Sequence, residues 1–148
     1  MTENDIRSIA LFYYFALLDE QKAIEAGAEA LNYARDRKKR DPALKNSSAV
    51  VMATFHVWEK WAGGLNRNRV VPMSSWAMPE GFDLRPWKEF QRNATSEELL
   101  VVIWSKIVGY SEGDIAVGLG QTEGTISFRL GKALRKLGGL TSFHPKLI

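Results

Sequence analysis

Apolar residues recur at intervals of three and four through most of this 148-residue chain, and no stretch alternates apolar with polar residues for a useful strand length. That period admits helices and excludes a sheet. The expectation is an all-α protein of two small helical domains, the C-terminal one a helix-turn-helix bundle. Ile6, Ile9, Ala10, Tyr13, Tyr14 and Leu17 share one helical face, and Phe12 and Phe15 carry apolar surface around the cylinder, so a first helix should be buried on several sides. After Asp19 a second helix sets Ala23, Ala26, Gly27, Ala30 and Ala34 along one side, small enough for two helix axes to approach closely. A basic run, RDRKKRD, ends at Asp41-Pro42, where proline resists helical continuation. A third helix can start at Ser47 or Ser48, both good N-caps, and place Val51, Thr54, Phe55, Trp58 and Trp61 or Ala62 on one face before Gly63-Gly64 stops it.

Periodicity lapses from Leu65 to Asn93, where Pro72, Pro79 and Pro86 punctuate the chain. The domains expected are therefore 1–64 and 94–148, joined by a linker over 65–93. Trp76, Met78, Phe82, Trp87 and Phe90 are too apolar for a purely solvated tether, so parts of the linker should lie against a domain or a partner, and Pro86 could open one short helix.

Composition then removes whole classes of chemistry. No cysteine is present, which excludes disulfides, thiolate nucleophiles and cysteine-based metal sites, and the two histidines, His56 and His144, are too few for a histidine metal motif. There is no phosphate loop, no G-x-S-x-G and no H-E-x-x-H, so neither an enzyme nor a cofactor is expected. The longest apolar run, Leu11 to Leu18, is less than half of the roughly 18–20 residues that span a bilayer. Acidic Glu3 and Asp5 precede it, the wrong flank for a signal peptide. A soluble, cytoplasmic protein with no membrane partner is expected.

Charge is unevenly distributed. Residues 1–31 carry two basic and six acidic side chains, residues 32–46 six basic and two acidic, and residues 121–148 five basic and one acidic. A polyanion would prefer the last two segments, although charge alone is better explained by solvated faces or loops.

The pattern from residue 94 onward is the most informative. Thr95 and Glu98 have capping-box spacing, followed by Leu99, Leu100, Ile103, Ile107 and Val108 at helical intervals up to Gly109. Ser111 and Asp114 repeat the capping logic for a very short helix with Ile115 and Leu119 facing inward, and Gly118-Leu119-Gly120 supplies a tight turn. Thr122 caps a last helix whose apolar stripe is Ile126, Leu130, Ala133, Leu134 and Leu137. The opposite face carries Gly124, Thr125, Phe128, Lys132, Arg135 and Lys136, with Arg129 at its edge. A helix, a glycine turn and a basic second helix make a helix-turn-helix, in which lysine and arginine neutralise phosphates or read guanine and Phe128 could contact a thymine methyl. The plainer account is a basic helix closing a three-helix bundle, with Phe128 as a protein contact.

The segment GYSEGDIAVGLGQTEGTISFRLGKALRKLG, Gly109 to Gly138, resembles the promoter-recognition domain of bacterial sigma factors, especially the small extracytoplasmic-function kind. The resemblance is carried by Gly109, Ser111, Asp114, Ile115, Ala116, Leu119, Gly120, Thr122 to Ile126, Arg129, Leu130, Ala133, Leu134 and Leu137, within residues 94–138. LuxR-like output domains are related, but usually carry lysine where Gly124 stands and histidine where Arg129 stands; a LuxR-like DNA-binding regulator remains an alternative. The resemblance implies contacts to the −35 promoter element from Thr125, Ser127, Phe128, Arg129 and Lys132. Ser127-Phe128 departs from the Lys-Ser often found in the family, exchanging a polar contact for an apolar one. In the N-terminal half, LLDEQKAIEAGAEALNYA resembles the polymerase-binding helix of sigma factors at Asp19, Ala23, Glu25, Ala26, Glu29 and Leu31, which implies RNA polymerase core as a partner met through Glu25 and Glu29. Phe55, Trp58 and Trp61 could be base-stacking aromatics or core. The function implied is a sigma-like transcription factor that recruits or regulates RNA polymerase on double-stranded promoter DNA. The alternative is a mimic or adaptor that binds polymerase or an anti-sigma factor without reading DNA.

Overall fold

A computed structural model of the chain describes residues 1–62 and 84–140. They form α1 (Glu3–Leu17), α2 (Glu20–Arg40), α3 (Asn46–Ala62), α4 (Arg85–Asn93), α5 (Ser96–Val102), a π-helical continuation (Ile103–Val108), α6 (Glu112–Leu119) and α7 (Glu123–Leu140). No strand occurs among the described residues. The glycine stop at 63–64, most of the expected linker with Trp76, Met78 and Phe82, and residues 141–148 lie outside the described residues.

Local sequence explains most helix starts. Thr2 and Asp5 exchange capping-box hydrogen bonds at α1, with Thr2 N donating to Asp5 Oδ2 at 2.9 Å, and Asn46 Nδ2 donates to the same oxygen at 3.0 Å. One carboxylate thus joins the starts of α1 and α3. Asp19 caps α2 through Lys22 N, and α2 continues through the basic run to Arg40. Its Ala23, Ala26, Ala30 and Ala34 are fully buried against α1 and α3, as the small-residue stripe requires. Along α1, Ile9 and Phe12 to Leu17 are buried, whereas Ile6 turns partly to solvent.

At α3 the structure corrects the expected caps. The helix starts at Asn46, and Ser47 and Ser48 lie inside its first turn with their hydroxyls aimed at α6. Ser47 Oγ donates to Asp114 Oδ2 at 2.7 Å, and Ser48 Oγ to Asp114 O at 3.0 Å. A serine can satisfy a distant acceptor as well as a local one, and here the distant one wins. Gly118 completes this seam: a Cβ there would stand 2.7 Å from the Val51 side chain and 2.9 Å from Ser48 O, closer than real atoms approach. Glycine is what lets α6 lie on α3.

The core is continuous from α1 to α7, so the positions expected as domain boundaries, 64 and 94, do not divide it. Phe12 stacks on Trp104 with ring centres 5.4 Å apart. Trp104 Nε1 donates to Thr54 Oγ1 at 2.9 Å, Thr54 Oγ1 to Val50 O at 2.7 Å, and Tyr13 Oη to Thr54 O at 2.8 Å. Each buried donor in this chain of contacts has its acceptor, which is the condition for placing polar atoms in a core. Trp58 is buried and Phe55 and Trp61 are partly buried against the same core. Helix α4, opened by Pro86 in its first turn, closes the end of α1: Trp87 Nε1 donates to Phe15 O and Gln91 Nε2 to Ala16 O, two carbonyls that the helix end leaves without partners.

Between α5 and Gly109 the expected regular helix widens into a π turn. Trp104 O accepts from both Gly109 N and Tyr110 N, at 3.0 and 2.8 Å, and Gly109 takes the left-handed φ of +93° that stops it. The widened turn carries Trp104 into the core, a placement that the simple spacing of Leu99, Leu100 and Ile103 did not mark.

Candidate nucleic-acid interface

Helices α6 and α7 are joined by a turn whose geometry follows from its residues. Ser111 Oγ accepts from Asp114 N at the start of α6. At its end Gly120 has φ +66°, while Gln121 N donates to Ala116 O and Gly120 N to Val117 O. That bond pair closes a helix around a left-handed residue, for which glycine has no Cβ penalty. Thr122 Oγ1 then accepts from Thr125 N and starts α7. On α7, Ile126, Leu130, Ala133 and Leu137 are buried and Leu134 partly so, leaving the expected opposite face outward.

The seven candidate contact residues fall into two sets. Phe128 is 69% exposed, and Lys132 and Arg135 stand beside it in solvent with no ion-pair partner among the described residues. The other four are engaged. Thr125 shares a 2.8 Å hydroxyl contact with Thr122 in the cap, and Ser127 Oγ donates to Glu112 Oε2 at 2.7 Å. Arg129 lies along α5, with Nε 3.4 Å from Glu97 Oε2 and Nη1 donating to Gln121 Oε1 at 2.6 Å. Lys136 Nζ donates to Glu98 Oε1 at 2.8 Å.

Glu98 is only 3% exposed and has two tasks. It caps α5 through Thr95 N and holds Lys136. Burial pushes its carboxyl pKa up, but the hydrogen bonds from Lys136 and Thr95 outweigh burial and hold it below the usual glutamate range. Its Oε2 has no hydrogen-bond partner among the described residues. Across α6, Asp114 is likewise held low, first by the Ser47 hydroxyl and then by Lys45 at 3.1 Å, against an opposing contribution from burial. Sequence reasoning named Glu98 as a cap and Asp114 as a cap and a residue of the resemblance; their second partners lie 38 and 67–69 residues away, where spacing gives no signal. Glu97, Glu112 and Gln121 were missed for the same reason.

Beside this helix pair lies a cleft of about 80 Å³, with Arg129, Gln121 and Glu97 at its polar side and Phe55, Leu119 and Trp104 at its apolar side. Ordinary ligand sites run to roughly 300 Å³ or more, so this cleft suits a side chain or a few waters.

On α2, Glu25 is exposed, whereas Glu29 is engaged by Lys60 Nζ at 2.9 Å and faces Trp61 Nε1 at 3.4 Å. The two glutamates proposed as one surface thus differ in freedom. His56 stacks on Tyr33 at 4.4 Å, and among the described residues no three His, Asp or Glu side chains gather as metal ligands. Nor is any described helix long and apolar enough to cross a membrane. No protein-family model, curated protein or solved structure matches the chain, so the likeness to sigma factors rests on the residues between 94 and 138 and on α2 alone.

Proposed function

We propose that the protein is a sigma-factor-like transcription factor that binds promoter DNA through the outward face of α7 and recruits or regulates bacterial RNA polymerase in the cytoplasm. One observation carries the reading: Phe128, Lys132 and Arg135 stand exposed on one face of the helix that follows a tight glycine turn, the two cations without an ion-pair partner among the described residues. Two cations on such a face neutralise phosphates, and an aromatic one turn before them offers an apolar contact to a base edge. Polymerase core would meet α2 at Glu25, which unlike Glu29 has no ion-pair partner among the described residues. Mixing the protein with polymerase core and a pool of promoter DNA, then sequencing what is retained, tests this. Enrichment of one promoter class is expected; polymerase binding without enrichment contradicts it.

A second reading is favoured by a specific feature. Arg129 and Lys136 are already paired with Glu97 and Glu98, which leaves Phe128 as the most prominent group of the face. A mimic or adaptor would use it as an aromatic anchor for a protein such as an anti-sigma factor. Retention of protein binding after Phe128→Ala contradicts that reading.

A further inference from the structure

Residues 35–45 hold six cations, Arg35, Arg37, Lys38, Lys39, Arg40 and Lys45, against Asp36 and Asp41. One or two of these suffice to complement the dipole at the end of α2. Lys38 is engaged with the Leu44 and Pro42 carbonyls and Lys45 with Asp114, while Arg40 makes only an exposed pair with Asp36. Arg35 and Lys39, one turn apart on the outward side of α2, have no ion-pair partner among the described residues. The end of α2 therefore presents Arg35, Lys39 and Arg40 to solvent.

The packing fixes where this patch sits. Lys45, just past the end of α2, bonds Asp114 in the first turn of α6, and Glu112 in that same turn accepts from Ser127 of α7. Ser47, Ser48 and the close approach at Gly118 lock α3 to α6. From the end of α2 the contacts run through Lys45 and the start of α3 to α6, and from α6 to Ser127 on α7. The major groove is about 12 Å wide, and a phosphate strand runs along each side of it. Of the carboxylates in between, Asp114 is offset by the Lys45 cation, while Glu112 accepts from the Ser127 hydroxyl, which offsets no charge.

The geometry points to a second DNA contact: the cationic end of α2 engages the phosphate backbone flanking the groove that α7 occupies, so that both segments form one binding surface. This rests on the DNA-binding reading of α7. A phosphate contact carries no base information, so α2 should add affinity and salt dependence without altering sequence preference.

The test uses the full chain and a 30-base-pair duplex of random sequence, with binding followed by fluorescence anisotropy at several salt concentrations. The variants are Arg35→Gln/Lys39→Gln/Arg40→Gln, Lys132→Ala, and their combination, with thermal melting as a check on folding. The triple variant should lower the slope of log affinity against log salt by about 2 to 3, at about 0.9 per lost phosphate contact, and the losses should add in the combined variant. If the triple variant keeps the wild-type slope while Lys132→Ala lowers it, the α2 contact is overturned and the α7 reading stands. If the triple variant alone lowers the slope, α7 is not the neighbouring contact and the shared surface is overturned. Absence of salt-dependent DNA binding by the wild type overturns both. Binding to polyglutamate in place of the duplex, lost in the triple variant, assigns the patch to an acidic protein and also overturns the proposal.

Discussion

The two flanks of α7 are built from the same residue types and behave as opposites. On the flank toward α5, Arg129 and Lys136 are drawn onto Glu97 and Glu98. On the outward flank, Lys132 and Arg135 find no carboxylate among the described residues and remain in water beside Phe128. A basic helix is thus not one uniform surface. Cations that face a neighbouring helix hold the fold together, and those turned away from it are available to a partner. The difference comes from α5, whose first turn is acidic because glutamates favour a helix N-terminus.

The seam that sets α6, and with it the orientation of α7, should be the most sensitive position of all. Gly118→Val places side-chain atoms onto Val51 and the Ser48 carbonyl, neither of which can swing aside, and should destabilise the protein by about 3 kcal/mol. Denaturant melts check this, with Gly124→Ala as the control, since a Cβ at Gly124 meets nothing within 4 Å. Loss of stability in both variants would mean that helix effects, not the seam, are responsible.

Next in size is the inner flank. Glu98→Ala removes a cap and leaves Lys136 without its partner, so it should cost about 2–3 kcal/mol, whereas Glu97→Ala, which removes an exposed carboxylate, should cost about 0.5 kcal/mol or less. Equal effects would erase the distinction between the two pairs. The same carboxylates predict the response to acid. Glu98 and Asp114 titrate lower in the folded than in the unfolded chain, so the stability they contribute is present above about pH 4 and is lost as pH falls through their folded-state values. Acid unfolding monitored by circular dichroism should be less steep for Glu98→Ala than for wild type.

How much of this was legible in the sequence differs along the chain. Features within four residues could be read directly: the Thr95 to Glu98 capping box, the Ser111 and Thr122 caps, Pro86 opening α4, the alanine stripe of α2 and the apolar stripe of α7. Features that depend on a remote partner could not. Ser47 and Ser48 read as local caps because nothing in their neighbourhood marks Asp114 as their acceptor. Arg129 and Lys136 read as groove contacts because periodicity gives the face of a residue on its own helix and is silent on which charges the next helix brings. The π turn at Trp104 and the continuity of the core across residues 64 and 94 were hidden for the same reason.

Smaller effects belong to the outward flank. Phe128→Ala should leave stability within about 0.5 kcal/mol of wild type, since the ring is exposed. On DNA it should relax preference at one base pair by about 1 kcal/mol, the low end of a mismatch cost. Selection of binding sites from a randomised pool, compared for wild type and variant, reads this out; an unchanged consensus would place Phe128 outside the groove.

On the proposal that α7 binds DNA, the central claim is that availability, and not basic character alone, decides which of its cations do so. Fluorescence anisotropy of duplex DNA at several salt concentrations tests it directly across wild type, Lys132→Ala, Arg135→Ala and Lys136→Ala. Lys132→Ala and Arg135→Ala should each lower the salt slope by about one without loss of stability, and Lys136→Ala should lower stability while its slope stays close to that of wild type. Equal slopes for all four proteins, or a slope lowered only by Lys136→Ala, would contradict the account.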